Sequence, residues 1–180
     1  MKNQLREFKY NDELFKSILV SQPLYKQPNP EWSIVLGNRE ASNVITMVTN
    51  PYCAPCSTTH KLLNDLINQN RNIQARILFT TSYQENDQSL PVVRHMMSLN
   101  ELPDKMTVSE ALHNWYKQEN KYYEIWAKAY PITFDGIEMG KLEKQKQWCL
   151  EMAISSTPTL LVNGYRLPRL YRLSDLKYML

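Results

Sequence analysis

Apolar residues recur along this chain with two different periods, and these periods predict its secondary structure. Helical spacing covers residues 11–20 and returns after residue 56, where four apolar positions share one face: Leu62, Leu63, Leu66 and Ile67. Short apolar runs typical of buried strands cover residues 32–36, 44–48, 73–81 and 159–162. The strand, helix and strand between residues 44 and 81 therefore predict a βαβ unit with a parallel strand pair.

Residues 82–156 contain no convincing strand, so we predict a helical block there. Thr107 and Glu110 have the spacing of a capping box, which places a helix start at Thr107. Residues 92–99 predict another helix. Three further sets of residues fall at helical spacing: Ala111, Leu112, Trp115 and Tyr116; Tyr122, Tyr123, Ile125, Trp126 and Ala129; and Leu142, Gln145, Cys149, Met152 and Ala153.

The C-terminal part predicts a β-hairpin followed by a short helix. Asn163 and Gly164 form a tight-turn dipeptide between residues 159–162 and a returning strand over 165–167. Ser174 is the predicted N-cap of the last helix. The whole order predicts an α/β fold in which a helical insertion separates a βαβ half from a ββα half. We place the lead-in, first half, insertion and second half at residues 1–31, 32–81, 82–154 and 155–180.

Length and composition exclude several classes of protein. The chain has 180 residues, which suits one domain, and 21 basic against 18 acidic residues give a net charge of +3. This balance gives no support for nucleic-acid binding. No run of 18 apolar residues predicts a membrane span, and the first residues lack the apolar stretch of a signal peptide. Three cysteines are too few for a disulfide scaffold.

Two of the cysteines, Cys53 and Cys56, stand where the helix after a central strand begins. Unpaired N–H groups in the first helical turn stabilise a thiolate, so we expect a lowered pKa for Cys53. Pro55 suits that first turn, because its missing N–H would have no partner there. The spacing brings both sulfurs together, and the pair can then cycle between dithiol and disulfide. We assign Cys53, the more exposed sulfur, as the nucleophile and Cys56 as the resolving thiol.

Two other interpretations of this pair stay open at this point. A zinc site would need two more ligands, and no second Cys-x-x-Cys or His-x-x-x-His follows in the sequence. An inert structural disulfide would close a loop too small to stabilise the fold much. Redox chemistry is therefore the preferred interpretation.

The sequence resembles the thioredoxin superfamily. Residues 44–49, the Cys53-Ala54-Pro55-Cys56 motif, residues 73–81 and Ser156-Thr157-Pro158-Thr159-Leu160 ahead of Asn163-Gly164 follow the family pattern in order. The resemblance implies a cis proline at Pro158, packed beside the dithiol. It also implies that Thr157 and Pro158 border the substrate groove, and that the Thr157 backbone pairs with a bound peptide. We add Tyr52, Ala54 and Pro55, which surround Cys53, to the substrate-binding residues.

The helical insertion is similar to that of the DsbA-like branch, which acts on protein thiols outside the cytoplasm. Residues 34–41 and 50–56 resemble the thioredoxin-like domain fused to bacterial vitamin K epoxide reductase homologues. That resemblance implies protein or peptide thiols and disulfides as substrates, and a membrane-embedded, quinone-linked partner. It also implies an extracytoplasmic (periplasmic) location as an excised domain, with the cytoplasm as the alternative. No cofactor is expected, because the dithiol carries the electrons.

The sequence departs from the family pattern at two positions. Many relatives carry a buried acid six residues before the first cysteine, where this chain has Met47. Without that proton acceptor for Cys56, we expect slow resolution of mixed disulfides and a simple pH profile. Tyr52 replaces the tryptophan common in thioredoxins, and its ring can still cover the sulfur.

The remaining candidate residues receive structural interpretations. We expect Cys149 to be a buried core thiol rather than a regulatory one. His60 is interpreted as a surface helix histidine rather than a residue that tunes the thiol, and His95 and His113 are given no role. The basic, aromatic run near the C-terminus is expected on an exposed edge rather than against RNA or a membrane headgroup: Arg166, Arg169, Arg172, Tyr165 and Tyr171. A second aromatic cluster is expected in the core of the helical block, with some of its rim left to line a peptide groove: Trp115, Tyr116, Tyr122, Tyr123, Trp126 and Tyr130.

The sequence thus predicts a protein thiol–disulfide oxidoreductase. The alternative is a peptide-binding or chaperone-like module with an idle dithiol, and a glutathione-linked transferase fits the intact Cys-x-x-Cys pair less well. The direction of electron flow stays open, since Pro55 is typical of thioredoxins and the insertion is typical of DsbA-like proteins.

Overall fold

A computed structural model describes residues 7–82 and 84–180 of the chain. Five strands form one sheet in the order β1-β3-β2-β4-β5. The strands are β1 (Ile34–Gly37), β2 (Asn43–Thr49), β3 (Ile73–Phe79), β4 (Thr159–Val162) and β5 (Tyr165–Arg166). β2 and β3 pair in parallel, and the other pairs are antiparallel. The predicted βαβ unit and C-terminal hairpin are confirmed.

The α-helices that connect and cover this sheet are α1 (Asp12–Val20), α2 (Ala54–Gln69), α3 (Ser89–Leu99), α4 (Lys105–Lys117), α5 (Tyr123–Ala129) and α6 (Ile137–Glu151). Helices α3 to α6 form the predicted helical block between β3 and β4. Two 3₁₀ helices, Pro30–Trp32 and Leu173–Tyr178, precede β1 and end the chain. The first strand therefore starts two residues later than predicted, because Asn29 caps the turn that holds Trp32.

Two helix starts differ from the sequence predictions. Asp104, not Thr107, begins α4, since its carboxylate accepts the backbone N–H of Met106 at 2.9 Å. Thr107 lies inside the helix and donates to the same carboxylate. In the last 3₁₀ helix Ser174 lies within the element, and the backbone N–H of Arg172 donates to Asp175. Asp104 thus caps α4 from the position before the helix, whereas Asp175 lies within the 3₁₀ helix and accepts the N–H of the N-cap residue, Arg172.

The sheet separates a large core from a small one because successive side chains of a strand face opposite sides. Ile45 and Met47 of β2 belong to the larger core, with helices α1 to α5. Val48 faces the smaller core, which Trp148 and Cys149 of α6 complete. The predicted burial of Cys149 is confirmed, and burial raises the pKa of its thiol to about 11.

The aromatic residues follow the expectation for the helical block and depart from the expectation for the C-terminal run at Tyr171. In the helical block Trp115, Tyr116 and Trp126 are buried, whereas Tyr122 is exposed. Near the C-terminus the three arginines are exposed, but the Tyr171 ring packs edge-on against Phe15 in the core, with ring centroids 4.9 Å apart.

Within the described part of the chain, no helix is both long and apolar enough to span a bilayer. The prediction that the chain has no signal peptide concerns its first residues. Residues 1–6 lie outside the part of the chain that the structure describes.

Candidate active site

The loop between β2 and α2 holds the cysteine pair at one end of the central strands. Asn50 fixes this loop, because its side-chain amide donates to the carbonyl of Thr80 at 2.8 Å and its oxygen accepts the N–H of Tyr52 at 2.9 Å. The indole N–H of Trp115 donates to the carbonyl of Pro51 at 2.8 Å. The helical block and the residue directly after β3, Thr80, thus both anchor the segment that precedes Cys53.

Cys53 and Cys56 are joined by a disulfide, with their Cα atoms 5.2 Å apart. Cys53 is the N-cap of α2, and its sulfur accepts the backbone N–H of Cys56 at 3.3 Å. Cys53 is partly exposed and Cys56 is fully buried, as their order along the helix predicts. Pro55 lies in the first turn, where a missing N–H costs no hydrogen bond.

Residues from the far end of the chain complete the surface beside Cys53. The Thr157–Pro158 peptide bond is cis, and the Thr157 carbonyl oxygen lies 3.6 Å from the Cys53 sulfur. Ala54 and Pro55 are exposed, and Thr157 and Pro158 are partly exposed. β4, which follows Pro158, pairs with β2, which precedes Cys53. The sheet topology therefore brings together two segments about a hundred residues apart.

Tyr52 borders the same surface and is half-buried. Its ring packs edge-on against Trp115, with ring centroids 5.5 Å apart. Burial raises the pKa of the Tyr52 phenol, so the side chain is neutral at physiological pH. An aromatic side chain thus lies next to the reactive pair in the place of the tryptophan of many relatives.

The interior behind Cys56 contains a histidine where the sequence analysis expected none. Met47 is completely buried and supplies no carboxylate. The interpretation of His60 as a surface residue is wrong, because only 1% of the residue is exposed. Four residues separate Cys56 from His60, so both side chains lie on the inward face of α2. The i, i+4 spacing from Cys56 is the signal in the sequence that places His60 on the buried face of α2.

His60 packs against α4. Its ring lies over the Tyr116 ring with centroids 4.9 Å apart, and the His113 ring is 6.2 Å away. Neither ring nitrogen of His60 has a hydrogen-bond partner within the described residues. Burial, with a smaller contribution from the charge of His113, lowers the pKa of His60 from 6.5 to about 4. The imidazole is therefore neutral at physiological pH.

His95 has the opposite environment, although it is also buried. Its Nε2 lies 2.6 Å from the Tyr130 carbonyl oxygen, and its Nδ1 lies 3.2 Å from the Tyr123 hydroxyl. Since a carbonyl only accepts, Nε2 donates and Nδ1 accepts from the tyrosine. Burial lowers the pKa of His95. This neutral histidine connects α3 to α5.

The described residues include no cluster of three or more His, Cys, Asp and Glu side chains that could hold a metal ion. The cysteine pair has the chemistry for thiol–disulfide exchange, in which the dithiol itself carries the electrons.

Comparison with known proteins gives the family of this chain. A family profile described as Thioredoxin matches residues 30–180. No curated protein sequence matches the chain. Among solved structures, the catalytic domain of Proteus mirabilis ScsC is 16% identical with a TM-score of 0.70, over 91% of this chain and 98% of that one.

Two further structures are similar at comparable identity. Oxidised BdbD from Bacillus subtilis is 15% identical with a TM-score of 0.61, over 87% of this chain and 95% of that one. DsbA from Chlamydia trachomatis is 15% identical with a TM-score of 0.57, over 84% of this chain and 90% of that one. At this identity the likeness establishes the fold, which is a thioredoxin-like sheet with a helical insertion, as in DsbA-like proteins. The chain belongs to the thioredoxin family.

Proposed function

We propose that this protein is a thiol–disulfide oxidoreductase that acts on protein or peptide thiols through Cys53 and Cys56. The observation that carries the proposal is the pair itself: one partly exposed sulfur at the start of a helix, bonded to a fully buried one. A structural disulfide gains nothing from this arrangement, whereas exchange chemistry needs one accessible sulfur and one protected sulfur.

In the oxidising direction, a substrate thiolate attacks the Cys53 sulfur. The Cys53–Cys56 bond breaks, a mixed disulfide with Cys53 forms, and Cys56 leaves as a thiolate. A second substrate thiolate then attacks the substrate sulfur and releases Cys53. The substrate has lost two electrons, and the enzyme holds them as a dithiol. The reducing direction is the reverse, in which Cys56 resolves the mixed disulfide.

The N–H of Cys56 supports the role of Cys53 as the leaving and attacking sulfur. This donor lies 3.3 Å from the Cys53 sulfur, and together with the positive end of the helix dipole it stabilises a thiolate there. Cys56 has no comparable access to solvent. An incoming thiol therefore meets Cys53 first.

Residues around Cys53 supply the docking surface. We assign Thr157 and Pro158, with Tyr52, Ala54 and Pro55, to substrate binding. The Thr157 carbonyl, 3.6 Å from the sulfur, can accept an N–H from an extended substrate backbone. Tyr52 offers an apolar face to the substrate side chain beside the reacting cysteine.

The working compartment and the electron partner are finer parts of the proposal. We place the protein outside the cytoplasm, with a quinone-linked membrane protein of the vitamin K epoxide reductase type as the partner that reoxidises the dithiol. The fold is consistent with this location, since a similar solved structure is a periplasmic thioredoxin-like protein from Salmonella enterica serovar Typhimurium. A cytoplasmic location is the alternative.

Trapping of a mixed disulfide tests the proposed chemistry. Cys56→Ser leaves the attacking sulfur without its resolving partner, so a reduced variant mixed with an oxidised peptide accumulates a Cys53-linked adduct, visible by intact mass. Cys53→Ser is the matched control and forms no adduct. The wild type reduces insulin or oxidises a reduced peptide under the same conditions. If the wild type does neither, the protein is a peptide-binding module with an idle dithiol.

A further inference from the structure

A pocket of about 690 Å³ opens between α2 and α4. His60, His113 and Tyr116 lie at its inner end. The charged residues around it are Lys61, Asp65, Lys117 and Glu119. His60 therefore lines a pocket that opens to solvent, although both of its ring nitrogens are covered, and the pocket is large enough to hold several water molecules.

His60 requires an explanation because buried polar groups nearly always have hydrogen-bond partners. The exposed fraction of His60 is 1%, and both of its ring nitrogens are unpaired in the described residues. An apolar residue of similar size would fill the site at lower cost. The unpaired nitrogens suit a group whose partner is present only in part of a reaction cycle.

Cys56 is such an intermittent partner. In the disulfide form its sulfur carries no proton, but in the dithiol form a thiol must lose a proton before the sulfur can attack. This sulfur is fully buried, and Met47 occupies the position of the usual acid. His60 follows one helical turn later on the same face, where Cβ atoms are about 5–6 Å apart. No other titratable side chain on α2 shares this inward face, since Lys61 and Asp65 are exposed.

We propose that His60 is the proton acceptor of Cys56 during the resolution of mixed disulfides, with the pocket as its route to solvent. The proposal rests on the function proposed above and adds a residue to it. The slow resolution expected from Met47 alone would then apply to variants of His60 rather than to the wild type.

In the reducing direction, the Cys56 proton moves to a ring nitrogen of His60, directly or through one water. The Cys56 thiolate attacks the Cys53 sulfur, the Cys53–Cys56 bond forms, and the bond from Cys53 to the substrate sulfur breaks. The substrate leaves as a thiolate and takes a proton from solvent. Imidazolium His60 returns its proton to water in the pocket. In the oxidising direction each transfer is reversed.

The surrounding charges permit this transfer. Burial keeps His60 neutral before the step, which is the form that accepts a proton. Once Cys56 becomes a thiolate, its negative charge one turn away stabilises the imidazolium. On α4, His113 and Tyr116 face His60, and Lys117 and Glu119 border the pocket.

The other elements packed against α2 bring no free charge to His60. β1 contains no charged residue. Arg76 of β3 donates to Gln74 and to the Pro28 carbonyl. On the C-terminal 3₁₀ helix, Asp175 is paired with Lys9, and Lys177 is exposed with its ammonium over the Tyr178 ring. The described residues thus offer two acceptors for the thiol proton: His60, one turn from Cys56, and His113 of α4, whose Nδ1 is also buried and unpaired. A His113→Gln variant distinguishes them.

Single-turnover exchange with 5,5′-dithiobis(2-nitrobenzoate) tests the role of His60. Reduced protein attacks the reagent through Cys53 in a second-order phase. Cys56 then releases the second thionitrobenzoate in a first-order phase. For the wild type this second phase changes little between pH 5.5 and pH 8. For His60→Gln it is at least about tenfold slower at pH 6 and approaches the wild-type rate near pH 9, where hydroxide replaces the base.

Two further variants separate a proton acceptor from a packing residue. His113→Gln removes the other imidazole of the same pocket, and we expect its first-order phase to match the wild type within about twofold. His60→Ala leaves a space that opens to the pocket, so added imidazole restores its resolution rate at pH 6. A repacked core would show neither a pH-dependent defect nor rescue.

Each outcome decides a different question. A wild-type profile in His60→Gln, or an equal defect in His113→Gln, overturns the role of His60 and leaves the exchange chemistry intact. Absence of the first-order phase in the wild type as well as in Cys56→Ser overturns the proposed function itself. The proposal is supported if the first-order phase of His60→Gln is slow at low pH and if imidazole restores this phase in His60→Ala.

Discussion

Two buried histidines, His60 and His95, occupy regions of the same core that differ in one respect. Both lie on α-helices, burial lowers the pKa of both, and their exposed fractions are 1% and 4%. His95 forms hydrogen bonds through both nitrogens, which connect α3 to Tyr123 and Tyr130. His60 forms none within the described residues, and it lies one turn from the disulfide.

Hydrogen-bond partners, more than burial, therefore distinguish a structural histidine from one that is available for chemistry. Partners on both nitrogens fix the tautomer of His95, so a change in its protonation would break a bond. His60 can gain and lose a proton without breaking any bond. Identical substitutions at the two positions should therefore have opposite effects.

Replacement of His95 by leucine should give the largest loss of stability. His95→Leu leaves the Tyr130 carbonyl and the Tyr123 hydroxyl without their partner, which costs about 3 kcal/mol of the free energy of unfolding. For a chain of this length the Tm falls by roughly 6–12 °C. Calorimetry measures this change. A Tm equal to that of the wild type would show that the two hydrogen bonds of His95 do not stabilise the fold.

The next largest effect should be the pH dependence that His60 gives to the free energy of unfolding. His60 binds its proton at about pH 4 in the folded protein and near pH 6.5 when unfolded. The unfolded chain therefore takes up protons first as the pH falls through this window, and stability decreases. The contribution of His60 is on the order of 2 kcal/mol between pH 7 and pH 4.5.

Urea unfolding of the wild type and of His60→Leu at these two pH values isolates that contribution. Asp87 and Asp175, whose pKa values are held low by hydrogen bonds despite their burial, weaken both proteins equally in acid. Equal losses of stability in the two proteins would show that the pKa of His60 is the same in the folded and unfolded states.

At neutral pH, His60→Leu should stabilise the protein. The substitution replaces two unpaired buried nitrogens with an apolar group of similar size, and we expect a gain of about 1 kcal/mol. The same variant should resolve mixed disulfides slowly, as His60→Gln does. Thermal unfolding measures the gain. A destabilised His60→Leu protein would mean that the nitrogens have partners and that the two histidines are alike.

The smallest effect should come from the third cysteine. Cys149 lies in the small core across the sheet from His60, and its thiol pKa is raised by burial. Cys149→Ala removes one buried sulfur, which costs up to about 1 kcal/mol of stability. Insulin reduction should be unchanged. A lower exchange rate in this variant would assign Cys149 a redox role and extend the site through the sheet.

Much of the fold follows from local pattern. The strands β2 and β3 and the hairpin around Asn163 were predictable because β-branched runs and a tight-turn dipeptide act over a few residues. The reactive pair was predictable from its spacing and its position before a helix. Helix starts at Asp104 and Arg172 were not, because neighbouring Ser and Thr residues offer competing caps with similar local signals.

The environment of His60 could not be read from the sequence with the same certainty. The i, i+4 relation to Cys56 places both on one face of α2. Whether that face is covered at His60 depends on α4, whose Tyr116 and His113 lie more than fifty residues away in the chain. Likewise, the contact of Thr157 with Cys53 depends on the pairing of β2 with β4.

The order of alkylation of the reduced protein tests the central claim most directly. Native reduced protein is treated with iodoacetamide at pH 7, quenched in acid and mapped by peptide mass spectrometry over time. Iodoacetamide should modify Cys53 quickly, because its sulfur is partly exposed, and should label Cys56 and Cys149 only after unfolding. Labelling of Cys56 before Cys53, or of both at the rate of an unstructured thiol, would contradict it.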